Sequence, residues 1–246
     1  MDFSTDELEK TPPTSRRNLL KWGMLGVGTA VLATMPSVVA ARPKPYIKTL
    51  VFNADDIGIL NFALLLEELE SAFYVLALRS GKIKDPKEYD YLQAISKHEA
   101  THVKFLRKVL GNNTLFNTND LRLSVTGLNA VLKDRDTILN TAVALEDTGV
   151  HAYNGAGTQI KNPTYLLAAG SIVSIEARHS VGVRALLRRP ATQPISDDAI
   201  ARENLVPEIN PFYGRAYDEL YTPKQIISIV SSLNILRNPI TGALVA

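Results

Sequence analysis

The 246-residue chain contains no cysteine. That absence excludes disulfide scaffolds, zinc ribbons, iron–sulfur clusters, thiol nucleophiles and covalently attached haem. Histidine is scarce as well, with only His98, His102, His151 and His179. A metal held by this chain therefore takes imidazole nitrogen and oxygen donors, a set that suits iron, manganese or zinc rather than thiophilic copper(I). Neither sign of charge prevails. Lys and Arg number 27 against 25 Asp and Glu, for a formal charge of +2, and the basic residues form no block. No nucleic-acid partner is expected, because a phosphate-binding face needs clustered Lys and Arg. Low-complexity tracts and alternating strand patterns are missing too. What is present is 46% hydrophobic residues in a chain long enough to bury one sizeable core.

Residues 1–41 read as an address. A polar start leads to Ser15-Arg16-Arg17-Asn18-Leu19-Leu20-Lys21, then to uncharged residues from Trp22 to Ala41 before Arg42. This resembles a twin-arginine export signal, with cleavage expected after Ala40 or Ala41 and delivery by the twin-arginine translocase to the periplasm or another extracytoplasmic space. The alternative is an uncleaved N-terminal membrane anchor, since such a run can just span a bilayer. Gly23, Gly26, Gly28 and Pro36 make the run only weakly hydrophobic, which favours the signal.

From Lys48 onward, four stretches with helical period are separated by turn residues. They run from about Asp56 to Arg79, from Pro86 to just before Gly111, from about Asp134 to Ile160, and from Pro163 to Arg189. Asn53, Asp55 and Asp56 are cap candidates for the first, and Gly81 is its stop. At the helical rise each would be roughly 36–42 Å long. Short links join the first to the second and the third to the fourth, as in antiparallel hairpins. The longer stretch from Gly111 to Gly127 then serves as the single crossover between helices 2 and 3 of a four-helix bundle. The expected organisation is an export signal over 1–41, an all-α bundle over 48–190, and a C-terminal extension over 191–246 that packs on the bundle. Pro194, Pro207, Pro211 and Pro223 punctuate that extension, and its apolar run from Ile226 to Leu236 predicts one short helix.

Charge placement on the helices is the informative feature. Between Ile57 and Leu78 the charged residues are Glu67, Glu68 and Glu70, and Glu67 lies on a stripe with Ala63, Leu64, Ser71 and Tyr74. Glu146 has Ala142, Val143, Gly149, Val150 and Tyr153 around it, Glu176 has Ile172, Val173 and Val183, and Glu99 has Leu92, Ile95, Val103 and Leu106. Each helix thus carries one mid-length Glu on its apolar face. A lone buried carboxylate is costly or takes up a proton, and four converging would repel one another unless cations sat among them. Spacing adds a second constraint. Glu99-x-x-His102 and Glu176-x-x-His179 are i, i+3 pairs, which places a carboxylate and an imidazole side by side on one helix face. Tyr74 follows Glu67 at the same interval as Tyr153 follows Glu146, so the chain reads as two copies of one hairpin about a pseudo-twofold axis.

These residues resemble the ferritin-like superfamily of di-iron and di-manganese carboxylate bundles over about residues 55–189. The Leu66-Glu67-Glu68-Leu69-Glu70-Ser71-Ala72-Phe73-Tyr74 segment is similar to the first helix of exported ferritin-like proteins of the desiccation-associated type. The resemblance implies two iron ions, with manganese as the alternative. It implies terminal ligands Glu67 and Glu146, bridging ligands Glu99 and Glu176, and one imidazole per metal from His102 and His179. Tyr74 and Tyr153 would stand behind the carboxylates, hydrogen-bonding them or supplying an electron. Glu70 is the rival to Glu67 and loses on the tyrosine spacing. Dioxygen or hydrogen peroxide is the implied reactant, in a ferroxidase, peroxidase or manganese-catalase type of oxidoreductase with a role in stress or desiccation. A peroxidase would need an external electron donor, and a homodimer is an expected assembly. The competing expectation is a structural, desiccation-protective bundle without turnover.

His98-Glu99-Ala100-Thr101-His102 also fits the His-Glu-x-x-His zinc-protease pattern, but the second Glu-x-x-His has no place in that chemistry. His98 is then expected to face solvent or to stand behind a ligand, and His151 to be a hydrogen-bonded helix residue. Arg178 is expected to pair with a carboxylate or to lie on the surface, as is Asp147, with His151 as its partner if paired. Arg184, Arg188 and Arg189 are expected to complement the end of the fourth helix.

Overall fold

Each long apolar stretch begins on a side chain that supplies the hydrogen bond its first turn lacks. Asp55 accepts from Gly58 N at 2.7 Å and opens α1 (Asp56–Arg79). Asp85 accepts from Lys87 N at 2.8 Å ahead of Pro86, whose ring fits a first helical position, and opens α2 (Pro86–Leu110). Ser124 caps the short α3 (Val125–Val131). Asp134 caps α4 (Arg135–Gly157), Asn162 caps α5 (Pro163–Leu186), and Thr222 with Gln225 forms a capping box on α6 (Pro223–Ser232). The computed structural model from which these bounds come describes residues 47–188 and 218–246. The expected export-signal segment, Arg189 and residues 191–217 of the expected extension lie outside the described residues. Among the described residues no helix is long and apolar enough to cross a membrane.

The long helices form the expected all-α bundle. α1 packs along α2, α4 packs along α5, and α1 lies against α4 to join the two hairpins. α1 is the most enclosed, with Leu64, Leu65, Phe73, Tyr74 and Ala77 at 1% exposure or less. Leu92, Ile95 and Leu106 of α2 and Ile138, Leu139 and Ala142 of α4 complete the same core. Full burial of such side chains contributes about 1.5–3 kcal/mol each, which makes this core the main source of stability.

Four details depart from the sequence expectation. The third long helix ends at Gly157 rather than Ile160, because glycines at 155 and 157 weaken its last turn before the Thr158 cap. The fourth ends at Leu186, and Arg188 has a positive φ of 56° that no continuing helix allows. The crossover is not plain loop: it makes two 3-10 turns, at Gly111–Asn113 and Thr118–Asp120, and then α3. Finally, the chain has a parallel pair of two-residue strands, β1 (Leu50–Val51) and β2 (Ile240–Thr241), with Leu50 opposite Ile240. Runs this short carry no alternation that a sequence could display.

The C-terminal residues after α6 therefore return to the start of the bundle. Asn238 holds three segments at once: its Nδ2 donates to Lys48 O at 2.8 Å and Asp120 O at 3.0 Å, and its Oδ1 accepts from Arg122 N at 2.7 Å. Ahead of α6, Tyr221 N donates to His151 O at 3.1 Å, an approach that requires Gly155, where a Cβ would collide with the Tyr221 carbonyl. Gly155→Ala is thus expected to displace the segment before α6 and to destabilise the protein by about 1–3 kcal/mol. Thermal or urea unfolding of the variant beside wild type measures it, and an unchanged or raised midpoint contradicts the docking.

Candidate metal centre

Helical register brings all six expected residues to one point inside the bundle. Glu67 comes from α1, Glu99 and His102 from α2, Glu146 from α4, and Glu176 and His179 from α5. Their burial is close to complete, with exposures of 1% for Glu67, 0% for Glu99, Glu146 and Glu176, and 4% for His179. Donor atoms of Glu67, Glu99, His102 and Glu176 lie within 4.8 Å of one another, and so do those of Glu99, Glu146, Glu176 and His179. Glu99 and Glu176 belong to both groups. His102 Nδ1 stands 3.1 Å from Glu67 Oε2, 3.2 Å from Glu99 Oε2 and 3.1 Å from Glu176 Oε1. His179 Nδ1 stands 2.9 Å from Glu99 Oε1 and 3.2 Å from Glu146 Oε2.

One ring nitrogen offers one proton or one lone pair, so it cannot satisfy three carboxylate oxygens. The shortfall is visible: Glu99 Oε1 and both oxygens of Glu176 are buried without a hydrogen-bond partner, although two of them lie near a histidine nitrogen. Donor atoms near 3 Å apart match the edge of a coordination polyhedron with bonds of about 2.0–2.2 Å. The donor chemistry, carboxylate and imidazole without sulfur, suits a hard or borderline divalent cation. The cluster is compatible with a dinuclear metal site.

A family model described as a ferritin-like domain matches residues 55–189, more than half of the chain. The chain belongs to the ferritin-like domain family. Among curated proteins, none matches it. The ferritin-like match begins at the Asp55 cap of α1 and ends just beyond α5, so it contains every residue of the buried cluster.

Without a cation, protons must balance the charge at the heart of this ferritin-like bundle. Burial and the neighbouring Glu176 push Glu67 up to about 8, in spite of its hydrogen bond with His102. Burial also raises Glu146, and burial with Glu176 raises Glu70. Burial would raise Glu99 too, but its hydrogen bond with His102 and the close approach of His179 prevail and lower it to about 2. Burial alone would lower the histidines. Contacts with Glu176, Glu67 and Glu99 instead lift His102 to about 12, and contacts with Glu146 and Glu99 lift His179 to about 10.

The tyrosines tie the hairpins together crosswise. Tyr74 of α1 donates to Glu146 of α4, and Tyr153 of α4 donates to Glu67 of α1 at 2.5 Å. Behind them stands an arrangement that sequence reasoning missed. Arg107 binds Glu68 through Nε at 3.0 Å, and Arg184 binds Asp147 and Ser180. Arg184 lies in the last turn of α5, as expected, but is buried there and paired with Asp147, which also accepts from the Ser180 hydroxyl. The signal was present as a repeat: Glu67 and Glu146 are each followed by an acid, and His102 and His179 are each followed five residues on by Arg.

His98 lies outside both donor groups, which separates it from the zinc-protease pattern; its Nδ1 is 2.8 Å from His179 Nε2. His151 lies against the ring of Tyr221, and Arg178 contributes its carbonyl to the Tyr91 hydroxyl. Glu70 is buried beside the cluster, its Oε1 close to the space that Gly149 leaves.

A pH dependence follows for the metal-free protein. Glu67, His102 and His179 all hold protons more tightly folded than unfolded, so their contribution to stability is complete at low pH. It is lost as pH rises from the unfolded values, 4.5 and 6.5, through about 8, 10 and 12. Chelator-treated protein is expected to melt at progressively lower temperature between pH 6 and pH 10, roughly the span of these values. Protein reconstituted with metal should lose less over the same range, because cations replace the protons. Parallel melting curves across pH test this, and identical slopes contradict it.

Proposed function

We propose that this ferritin-like protein is an exported dinuclear-metal protein that reacts with dioxygen or hydrogen peroxide in stress protection. What carries the reading is the pair of donor groups that share Glu99 and Glu176, with three carboxylate oxygens left unpartnered. Glu99 and Glu176, which belong to both donor groups, would serve both cation positions, Glu67 and Glu146 would serve one each, and His102 and His179 would give one imidazole to each. Two iron ions, or manganese in their place, supply Lewis acidity and electrons for reducing the oxidant when bound.

The chain's own residues set the conditions for that chemistry. Tyr153 and Tyr74 hold Glu67 and Glu146 by hydrogen bonds and fix which oxygen faces inward. Tyr153 also lines a partly enclosed apolar cavity with Phe62, Ala63, Leu66, Ala152, Ala156 and Tyr221, surroundings that favour a small uncharged molecule over ions. With no cysteine in the chain, electrons for a peroxidase cycle come from an external donor. Export through the twin-arginine translocase to an extracytoplasmic space rests on Ser15-Arg16-Arg17-Asn18-Leu19-Leu20.

A second reading has one observation in its favour. Both histidines and both tyrosines already meet carboxylates, so the cluster has internal partners that a purely structural bundle could rely on. Chelated protein reconstituted anaerobically with iron or manganese decides between them. Two metals per chain with peroxide or oxygen consumption are expected, and Glu99→Gln combined with Glu176→Gln should lose both. A wild type that remains metal-free overturns the proposal. In the structural reading the same double variant raises the melting temperature, since it removes buried charge. The export signal is tested separately: Arg16→Lys with Arg17→Lys is expected to retain the chain in the cytoplasm, because a recognition built on guanidinium is not met by ammonium. Undiminished export contradicts it.

A further inference from the structure

The two halves of the bundle are unequal at two positions that border the cluster. Residues of α2 recur 77 positions on in α5: Glu99 as Glu176, His102 as His179, Arg107 as Arg184. In that register His98 corresponds to Ile175. His98 is exposed, and its ring lies end to end with that of His179, the centroids 5.1 Å apart and the planes within 19° of each other. His179 turns Nδ1 to the carboxylates, 2.9 Å from Glu99 Oε1, and Nε2 to His98 Nδ1 at 2.8 Å. When Nδ1 offers its lone pair to a cation, the ring hydrogen sits on Nε2 and His98 accepts it. That contact sets both the tautomer and the angle of the ring. His102 also turns Nδ1 inward, but for its Nε2 no partner is found among the described residues.

The second inequality falls on the same side. Residues of α1 recur 79 positions on in α4, and Glu70 corresponds to Gly149. A Cβ at 149 would stand 3.3 Å from Glu176 Oε2 and 3.4 Å from Glu70 Oε1. Glu176 Oε2 is the oxygen 4.0 Å from His179 Nδ1, whereas Oε1 is the one near His102. The missing side chain thus makes room for an additional carboxylate on the His179 side.

We propose that the centre is asymmetric, with the cation position at His179 the tighter of the two and the first to fill, and with His98 as its positioning residue. This rests on the dinuclear reading above. The test is anaerobic titration of the chelated full chain with Co(II), followed by calorimetry and visible absorption. Wild type is expected to bind in two resolved steps. His98→Ala should weaken the tighter step by about 10–100-fold and leave the weaker one unchanged. His98→Gln, whose side-chain carbonyl accepts the same N–H, should recover most of the loss. In a Glu146→Ala background, which lacks a donor at the His179 position, His98→Ala should have little further effect. Two indistinguishable steps in wild type, or a His98→Ala protein that loses both steps equally or neither, overturns the asymmetry while leaving the dinuclear reading standing. A wild type that binds no Co(II) overturns both.

Discussion

Four carboxylates in a volume that excludes water is the constraint on which the rest of this structure depends. Like charges at such range cannot all ionise in a medium of low dielectric, and burying each alone costs several kcal/mol. The core answers with partners of opposite or convertible charge. Two imidazoles each face several carboxylate oxygens, two phenols donate to the outer pair, and protons occupy Glu67 when nothing else does. Even so, three oxygens of Glu99 and Glu176 stay unpartnered. An ordinary apolar core would place Leu at these positions and avoid the whole difficulty, so the cluster is held by the fold at some expense in stability.

Holding it requires that the helices not slide. Each hairpin is clamped next to the cluster by an Arg–carboxylate pair, Arg107 with Glu68 and Arg184 with Asp147. The two hairpins are then joined by the crossed tyrosines, since Tyr74 and Tyr153 each leave one hairpin to bind a Glu of the other. A slip of one helix by a single residue would rotate its Glu by about 100° away from the centre and break three kinds of contact together. Away from the cluster, Asn238 fastens the C-terminal residues to Lys48 and to the crossover, so the last segment of chain supports the first.

The bundle and its centre were largely legible in the sequence because both depend on helical period. Glu67, Glu99, Glu146 and Glu176 announce themselves as charge on apolar stripes, and the two Glu-x-x-His pairs fix which faces meet. Other features depend on contacts between segments distant in sequence, for which no short-range pattern exists. The β1–β2 pair spans two residues per strand and joins the two ends of the described chain. Arg184 sits in the last turn of its helix, where interaction with the helix dipole is the simplest local account; its burial against Asp147 appears only once α4 and α5 are side by side. His98 stands between these cases: its place at the solvent edge or behind a ligand was legible, but that the ligand is His179 appears only once α2 and α5 are side by side.

The internal repeat has a consequence for how the centre can diverge. Two separate copies of one hairpin, paired about a true twofold axis, would carry the same residue at both members of every equivalent pair. A histidine gained at position 98 would then appear at both imidazoles, and a glycine at 149 would remove the acid at 70 as well. Covalent joining of the halves lifts that requirement. Each half is free to change alone, so a centre whose two positions differ needs no second kind of chain.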